Sequence, residues 1–269
     1  MAMANTADFQ PQTEPRPMST KLDWGQAWRS LQRLLNDKED TGQVFEIMRA
    51  LNGTSTRDGY IQLLRTPRGG RMAMEARELA PKLMDDAWLD SFAPGSVGAA
   101  YRDFVRSENI SAEGLAEVSR GKDGEVEIQH PYAWFGRRTR DVHDIWHILS
   151  GYHRDALGEA CLVAFSYAQT KGLGWALIAV GAAMKSRQAG AYPFKAAIWQ
   201  GYQRGKAANW LLAEDYERLM AEPLETARRR LNITPPTIYN AIPAAVRNGM
   251  LPGAPMGVSP PASTDPARA

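Results

Sequence analysis

The spacing of apolar residues along the chain predicts a helical protein. Between residues 24 and 35 they recur at the i, i+3, i+4, i+7 interval of one buried helix face: Trp24, Ala27, Trp28, Leu31, Leu34 and Leu35. The same periodicity predicts helices over 44–51, 79–88, 98–105, 140–151, 155–168, 175–184, 194–217 and 224–231. Only Lys122 to Glu127, around Asp123-Gly124, has the alternation of a hairpin. The expected fold class is therefore all-α, with at most one short β-hairpin.

The two ends of the chain differ in composition from the rest. Both contain several prolines and few large apolar residues, so they cannot bury enough surface to offset the entropy lost on ordering. We expect flexible Pro-rich tails over residues 1–20 and 249–269. A single helical domain is expected over residues 21–248.

Charge and cysteine content exclude several classes of protein. The 32 Lys and Arg residues nearly balance the 30 Asp and Glu residues, so no overall positive field recruits nucleic acid. The single cysteine, Cys161, excludes an internal disulfide framework and a four-cysteine zinc site. No segment reaches the ~18 apolar residues that span a bilayer, and the first residues lack a secretory pattern. A cytoplasmic protein is expected, with attachment to a membrane surface left open.

Two of the four histidines, His143 and His147, lie four residues apart in a segment predicted to be helical. Residues at this spacing share one helix face, and helix-borne zinc ligands use the same arrangement. Asp144 is adjacent and can add a carboxylate or orient a ligand. The spacing by itself leaves a metal site and an incidental pair equally open.

Glu159 follows His147 after eleven intervening residues. On one straight helix it would lie about 18 Å further along and be rotated by roughly 120°, too far to share an ion. A shared site therefore requires the chain to fold back. Gly151 can end the first helix and Asp155 can cap the second, which would return Glu159 towards the histidines.

The stretch from His143 to His147, followed by eleven residues and Glu159, resembles the H-D-x-x-H-x(11)-E signature of the coenzyme Q (ubiquinone) biosynthesis protein 4 family. Other blocks in the same order also resemble this family: residues 58–60, 94–104, 134–139 and 223–235. The resemblance covers roughly residues 21–236. The Pro-rich segment after Pro236 has no counterpart.

This resemblance implies a helical fold that holds a divalent metal, usually zinc, through His143, Asp144, His147 and Glu159. It also implies action on a polyprenylated benzoate or phenol intermediate of ubiquinone synthesis. The implied activity is that of a decarboxylase-type lyase, which removes the ring C1 carboxylate by a simple or an oxidative route. The family further implies a peripheral location on the inner face of the membrane, in a complex with other ubiquinone biosynthesis proteins.

The residues add detail to these expectations. A carboxylate-rich site with two histidines would accept iron, cobalt or manganese as readily as zinc. Arg140, one turn before Asp144, is the arginine best placed to bind a benzoate carboxylate, although a salt bridge to Asp141 or Asp144 is equally open. Asp144 and Arg140 are thus the expected catalytic residues. The small and large apolar residues of segment 172–184 could form a slot for the prenyl chain, although an ordinary core helix is the commoner explanation.

Two other functions and several smaller questions stay open at this stage. The chain could be a non-catalytic lipid-binding scaffold that organises a ubiquinone biosynthesis complex. It could also be an HD-type metal phosphohydrolase, for which His130 would have to serve as a further ligand. His153 could lie near the metal or in solvent, Arg228 to Arg230 resemble a solvated helix face, and a homodimer is compatible with the sequence.

Overall fold

The computed structural model describes residues 21–37, 40–107, 130–186 and 192–248. The first part of this region contains seven helices: α1 (Trp24–Asn36), α2 (Thr41–Ala50), α3 (Ser55–Leu64), α4 (Gly69–Glu75), α5 (Ala80–Leu83), α6 (Asp86–Asp90) and α7 (Val97–Ser107). Five helices follow: α8 (Pro131–Asp141), α9 (His143–Ser150), α10 (Ala156–Thr170), α11 (Leu173–Lys185) and α12 (Phe194–Ala207). The described chain ends with a 3-10 turn and four short helices: Leu211–Ala213, α13 (Tyr216–Leu219), α14 (Leu224–Arg230), α15 (Thr237–Asn240) and α16 (Ala244–Arg247).

The described residues confirm the all-α fold class, since they contain no strand beyond an isolated bridge between Ser96 and Pro223. The predicted hairpin over 122–127 and both predicted tails lie outside the described ranges. In the described part, no helix is long and apolar enough to cross a membrane.

Helix α10 lies at the centre of the fold and packs most extensively against α12. Twelve of its fifteen residues are buried, so α10 is apolar on nearly all sides. Gly201 and Gly205 of α12 face the backbone of α10, and a Cβ at either would lie 2.4 or 2.5 Å from the carbonyl oxygen of Cys161 or Phe165. The absence of side chains at these two positions lets the helices approach closely.

Helix α10 also packs against α11, and α11 in turn contacts α1 and α2. Cys161 lies fully buried in this core, as expected for a small apolar residue. The resulting arrangement surrounds α10 with helices and leaves its N-terminal turn, which carries Glu159, facing α9.

Two predicted helices are interrupted by side-chain hydrogen bonds that periodicity alone does not show. Residues 79–88 form two short helices, because Asp85 accepts a hydrogen bond from the Trp88 amide and starts α6. The predicted helix over 194–217 ends at Ala207. There Gln169 of α10 donates to the Gly205 carbonyl at 2.6 Å and accepts from the Leu211 amide at 2.8 Å, which directs the chain away from the helix axis.

Candidate metal centre

The histidine pair lies on α9, which is almost continuous with α8. The predicted helix over 140–151 is divided at Val142, whose φ of −82° and ψ of −8° stay close to helical values. Ile145, Trp146 and Leu149 are buried on the core side of α9. Since residues four apart share a face, His143 and His147 project together from the same side of this short helix.

Several side chains hold the far end of α9. The Trp146 indole donates to the Tyr216 hydroxyl at 2.6 Å. Arg228 donates to the carbonyls of Ile148 and Leu149 at 2.7 and 3.1 Å, and Arg204 donates to the Ser150 carbonyl at 2.7 Å. These guanidinium groups satisfy carbonyls that a helix C-terminus leaves without partners. The interpretation of Arg228 as part of a solvated face is therefore wrong.

The chain reverses direction directly after these carbonyls. Gly151 has a φ of +76°, a left-handed conformation that glycine adopts at little cost and that ends α9. Asp155 accepts a hydrogen bond from the Gly158 amide at 2.9 Å and caps α10, as its sequence position predicts. The predicted fold-back between His147 and Glu159 is thus present.

Gly158 determines how closely this turn packs against α10. A Cβ at this position would lie 1.9 Å from the carbonyl oxygen of His153, far inside contact distance. Only glycine therefore allows the loop to lie on the first turn of α10. Because Glu159 is the next residue, this contact also sets the position of its carboxylate.

The reversal brings His143, His147 and Glu159 together. One potential ligand atom from each lies within 4.8 Å of the other two, and His147 Nε2 is 3.5 Å from Glu159 Oε1. Two imidazole nitrogens and a carboxylate oxygen form a donor set that suits zinc and other divalent transition metals. Three protein ligands would leave a coordination position for a substrate or water.

The protonation of the histidines also fits a metal ion. His147 Nδ1 lies 2.9 Å from the Tyr152 carbonyl oxygen, which can only accept, so Nδ1 carries the proton and Nε2 presents its lone pair towards Glu159. His143 Nδ1 is buried without a hydrogen-bond partner, as expected for an atom that an ion would satisfy. Burial lowers the pKa of each histidine to about 4, so both are neutral near pH 7.

Aromatic rings cover the two imidazoles. Trp175, in the first turn of α11, stacks on His143 with ring centres 5.3 Å apart, and Phe104 of α7 stacks on His147 at 5.5 Å. Glu159 remains more open, with 38% of its side chain exposed. The trio is thus enclosed by aromatic groups on the histidine side and accessible from the side of the carboxylate.

Asp144, the fourth predicted ligand, is not part of the trio whose ligand atoms lie within 4.8 Å. It nevertheless lies close enough for charge interaction, because burial, followed by the charge of Glu159, raises the pKa of Asp144 to about 6. Its role as a ligand or in catalysis stays a prediction. Of the other histidines, His130 is exposed and caps α8, and His153 is exposed beside Tyr239.

Arg140 is held by its neighbour in sequence. Its Nη2 and Nε lie 2.7 and 2.8 Å from Asp141 Oδ1, and the Asp141 side chain is only 4% exposed. This is the salt bridge that the sequence left open as an alternative. The binding of a substrate carboxylate by Arg140 stays a prediction.

Sequence reasoning missed three groups that shape the site: Arg154, Gly158 and Trp175. Arg154 Nε lies 3.6 Å from Glu159 Oε1, beside the contact to His147. Gly158 directly precedes Glu159 and Arg154 lies five residues before it, so proximity in sequence was a signal that could have drawn attention to them. Trp175 is distant in sequence from the motif, and only the packing of α11 places it there.

The prenyl slot was predicted along segment 172–184, and a groove along part of this segment faces away from the trio. A groove of about 680 Å³ between α1 and α11 is lined by Trp28 and Leu31 of α1 and by Leu177, Val180, Gly181 and Met184 of α11. At 100° per residue, these α11 side chains lie about 140–240° around the helix from Trp175. The groove therefore opens on the opposite side of α11 from the histidines, and a slot for the prenyl chain stays a prediction.

Metal affinity should fall as the pH is lowered from 7 towards 5. Burial raises the pKa of Asp144 to about 6, so this carboxyl group takes up a proton in this range and its negative charge beside the ion is lost. Burial also raises the pKa of Glu159. The histidines stay neutral until about pH 4 and should not limit binding. With one linked proton, we expect a loss of about tenfold per pH unit below pH 6, measured by zinc titration against a chelator. A constant affinity between pH 7 and 5 would contradict this assignment.

Comparison with known proteins places this arrangement in a family. The family described as "Coenzyme Q (ubiquinone) biosynthesis protein Coq4" matches residues 40–237, which include the whole candidate metal centre. A crystal structure of a provisional ubiquinone biosynthesis protein from Nostoc punctiforme has a similar fold, with a TM-score of 0.59 at 22% identity. The match covers 80% of this chain and 100% of the Nostoc chain.

Curated relatives include proteins from animals and fungi. The mitochondrial ubiquinone biosynthesis protein COQ4 homologs of Rattus norvegicus and Homo sapiens are each 28% identical, over 177 and 182 residues. These matches cover 65% and 66% of this chain, and 64% and 65% of the relatives. The chain therefore matches slightly less than two thirds of the length of these relatives. The extent of the family match shows that this chain belongs to the Coq4 family of coenzyme Q (ubiquinone) biosynthesis proteins.

Proposed function

We propose that this protein is a metal-dependent enzyme of ubiquinone biosynthesis that removes the C1 carboxylate from a polyprenylated hydroxybenzoate. The observation that carries the proposal is the convergence of His143, His147 and Glu159 after the chain reversal at Gly151. Membership of the Coq4 family supports a role in ubiquinone biosynthesis. The candidate metal site supports a reaction in which an ion stabilises developing charge. Zinc, iron, cobalt and manganese all suit the donor set.

A divalent ion at this site would act as a Lewis acid on the ring hydroxyl or carboxylate and stabilise the charge that develops as the C1 bond breaks. The bond between C1 and the carboxylate breaks, CO₂ leaves, and the electron pair remains on C1, where a proton must be added. Asp144, with a pKa of about 6, holds that proton in a fraction of molecules near neutral pH. The rings of Trp175 and Phe104 exclude water from the histidine side.

The direct test is turnover by the purified, metal-loaded full chain. Incubation with a 3-polyprenyl-4-hydroxybenzoate should release CO₂ and yield the corresponding 2-polyprenylphenol. Asp144→Asn should lower turnover by about 100-fold or more, as expected on loss of a general acid. Because the charge of Asp144 also contributes to metal affinity, parent and variant are compared at a zinc concentration that saturates both. Product that carries a new C1 hydroxyl would show the oxidative route, which also consumes O₂ and favours a redox-active metal over zinc.

Binding without turnover would instead support the scaffold function. In that case the ion would hold α9 and α10 together while the protein presents the intermediate to other biosynthetic enzymes. The phosphohydrolase interpretation is disfavoured, because it requires His130 as a further ligand and His130 caps α8 outside the trio.

A membrane surface is the partner that best suits the outer face of α1 and α11. Trp24, Trp28, Val180 and Met184 are each more than half exposed on these two helices. The helices also carry Arg29, Arg33 and Lys185 and contain no Asp or Glu. Exposed tryptophans beside basic side chains, without acidic residues, suit the interface of an anionic bilayer. We therefore assign peripheral membrane contact to this face.

Replacing both Trp24 and Trp28 with alanine should weaken binding to vesicles of phosphatidylcholine and phosphatidylglycerol by at least about tenfold, because two large apolar groups are lost from the contact. Vesicle co-sedimentation measures the effect, with phosphatidylcholine vesicles reporting the contribution of lipid charge. Trp199→Ala, which removes another exposed tryptophan from α12, serves as the control and should bind as the parent does. Equal binding by the double variant would rule out this face.

A further inference from the structure

The strongest unassigned feature near the candidate metal centre is Arg154, in the turn between α9 and α10. Its Nε lies 3.6 Å from Glu159 Oε1, the same oxygen that lies 3.5 Å from His147 Nε2. The side chain is 37% exposed, so it lies on the accessible side of the trio. A ligand approaching the metal position past Glu159 would therefore meet this guanidinium.

The charge of Arg154 reaches every residue of the motif. Burial is the main cause of the pKa shift at His143, Asp144, His147 and Glu159, and the positive charge of Arg154 lowers the pKa of all four. Arg140, in contrast, directs its charge to the buried carboxylate of Asp141. Arg154 is thus a cation that acts on the site itself.

Its position indicates what this cation can bind. The guanidinium lies beside the Glu159 carboxylate on the accessible side of the trio. An anion that reaches the metal position from that side would be attracted both by the ion and by Arg154. The planar donors of arginine match the oxygens of a carboxylate or phosphate.

We propose that Arg154 is a specificity-determining residue that binds the anionic oxygen group of the ligand next to the metal position. If the proposed decarboxylase function is correct, this group is the ring carboxylate that is to be removed. A phosphate would offer the same chemistry. The sequence predicted the same role for Arg140, which stays a separate prediction.

The test measures binding, so it does not depend on turnover. Zinc-loaded full chain is titrated calorimetrically with 3-prenyl-4-hydroxybenzoate, with 2-prenylphenol, which differs by the carboxylate, and with inorganic phosphate. Arg154→Ala should weaken binding of the carboxylate ligand by about 10- to 100-fold and leave the phenol unchanged. Arg154→Lys should restore part of the affinity through its charge. Arg71→Ala, which removes an exposed arginine paired with Glu75, is the matched control.

Zinc affinity in the absence of ligand separates this proposal from a purely structural role. If Arg154 recognises the anion, Arg154→Ala should bind zinc as tightly as the parent or more tightly, because a neighbouring positive charge is removed. If Arg154 only holds Glu159 in position, the variant should lose zinc and bind the acid and the phenol equally poorly, which would overturn the proposal. Unchanged affinity for both anions would also overturn it.

Comparison of the benzoate with phosphate shows which kind of ligand carries the anionic group that Arg154 binds. Selective loss of the benzoate supports a ring carboxylate, and selective loss of phosphate supports Arg154 as an anion-binding residue for a phosphate-bearing ligand. A parent protein that discriminates the acid from the phenol through Arg154 but releases no CO₂ would refute the decarboxylase function and leave this inference standing.

Discussion

Glu159→Gln should lower zinc affinity by more than about 100-fold. The loss of a residue that only orients a metal ligand lowers metal affinity about 10- to 100-fold. The loss of a direct ligand should therefore lower it by at least the upper end of that range. The amide keeps the size of the side chain but removes the negative charge that lies 3.5 Å from His147 Nε2. Zinc content after dialysis and competition with a chelator measure the change, and ubiquinone production should fall with it.

The matched control for this experiment is Glu75→Gln, which makes the same chemical change at a carboxylate paired with Arg71 on α4. It should retain zinc as the parent does. His147→Ala, which removes the ligand on α9 rather than the one on α10, should lower zinc affinity in the same way. Full zinc occupancy in both trio variants would mean that the ion, if any, is held elsewhere.

Gly158→Ala should disrupt the centre without touching a ligand. The new Cβ would meet the His153 carbonyl oxygen at 1.9 Å, so either the turn after α9 or the first turn of α10 must move. Overpacking of this kind costs about 3 kcal/mol at the upper end of its usual range, because backbone atoms cannot rotate away as side chains do. Zinc affinity should fall together with the midpoint of thermal unfolding, since Glu159 is the next residue.

Gly70→Ala provides the comparison, because a Cβ at this position of α4 has nothing within 4 Å. It should leave zinc affinity unchanged and should not lower the midpoint of thermal unfolding, since alanine favours helix over glycine. A Gly158→Ala protein as stable and as metal-competent as Gly70→Ala would show that the turn has more room than the structure indicates.

The sequence was sufficient to predict features that depend on local chemistry. Helical periodicity predicted the fold class and approximate positions of α1, α2, α7, α10 and α11. The cap at Asp155 and the end of α9 at Gly151 followed from side-chain hydrogen bonding and left-handed backbone geometry. Such features depend on a few neighbouring residues, so they can be recognised without a tertiary structure.

Long-range contacts determined the features that the sequence reasoning missed. Gln169 ends α12 near Gly205 through hydrogen bonds across 36 residues, and Arg228 holds the end of α9 across 79. Periodicity carries no signal for either contact. The interruption of the predicted helix over 194–217 and the role of Arg228 therefore became clear only in the folded chain.

The sequence by itself determined the residue types of the metal centre, the requirement for a chain reversal and the residues that make the reversal. Only the tertiary structure decided that His143, His147 and Glu159 converge, that Arg140 pairs with Asp141 and that Arg154 faces the site. The physical reason is that capping and backbone preferences act within one turn of helix. Which cation faces a carboxylate depends on how α9, α10 and the loop between them pack in three dimensions.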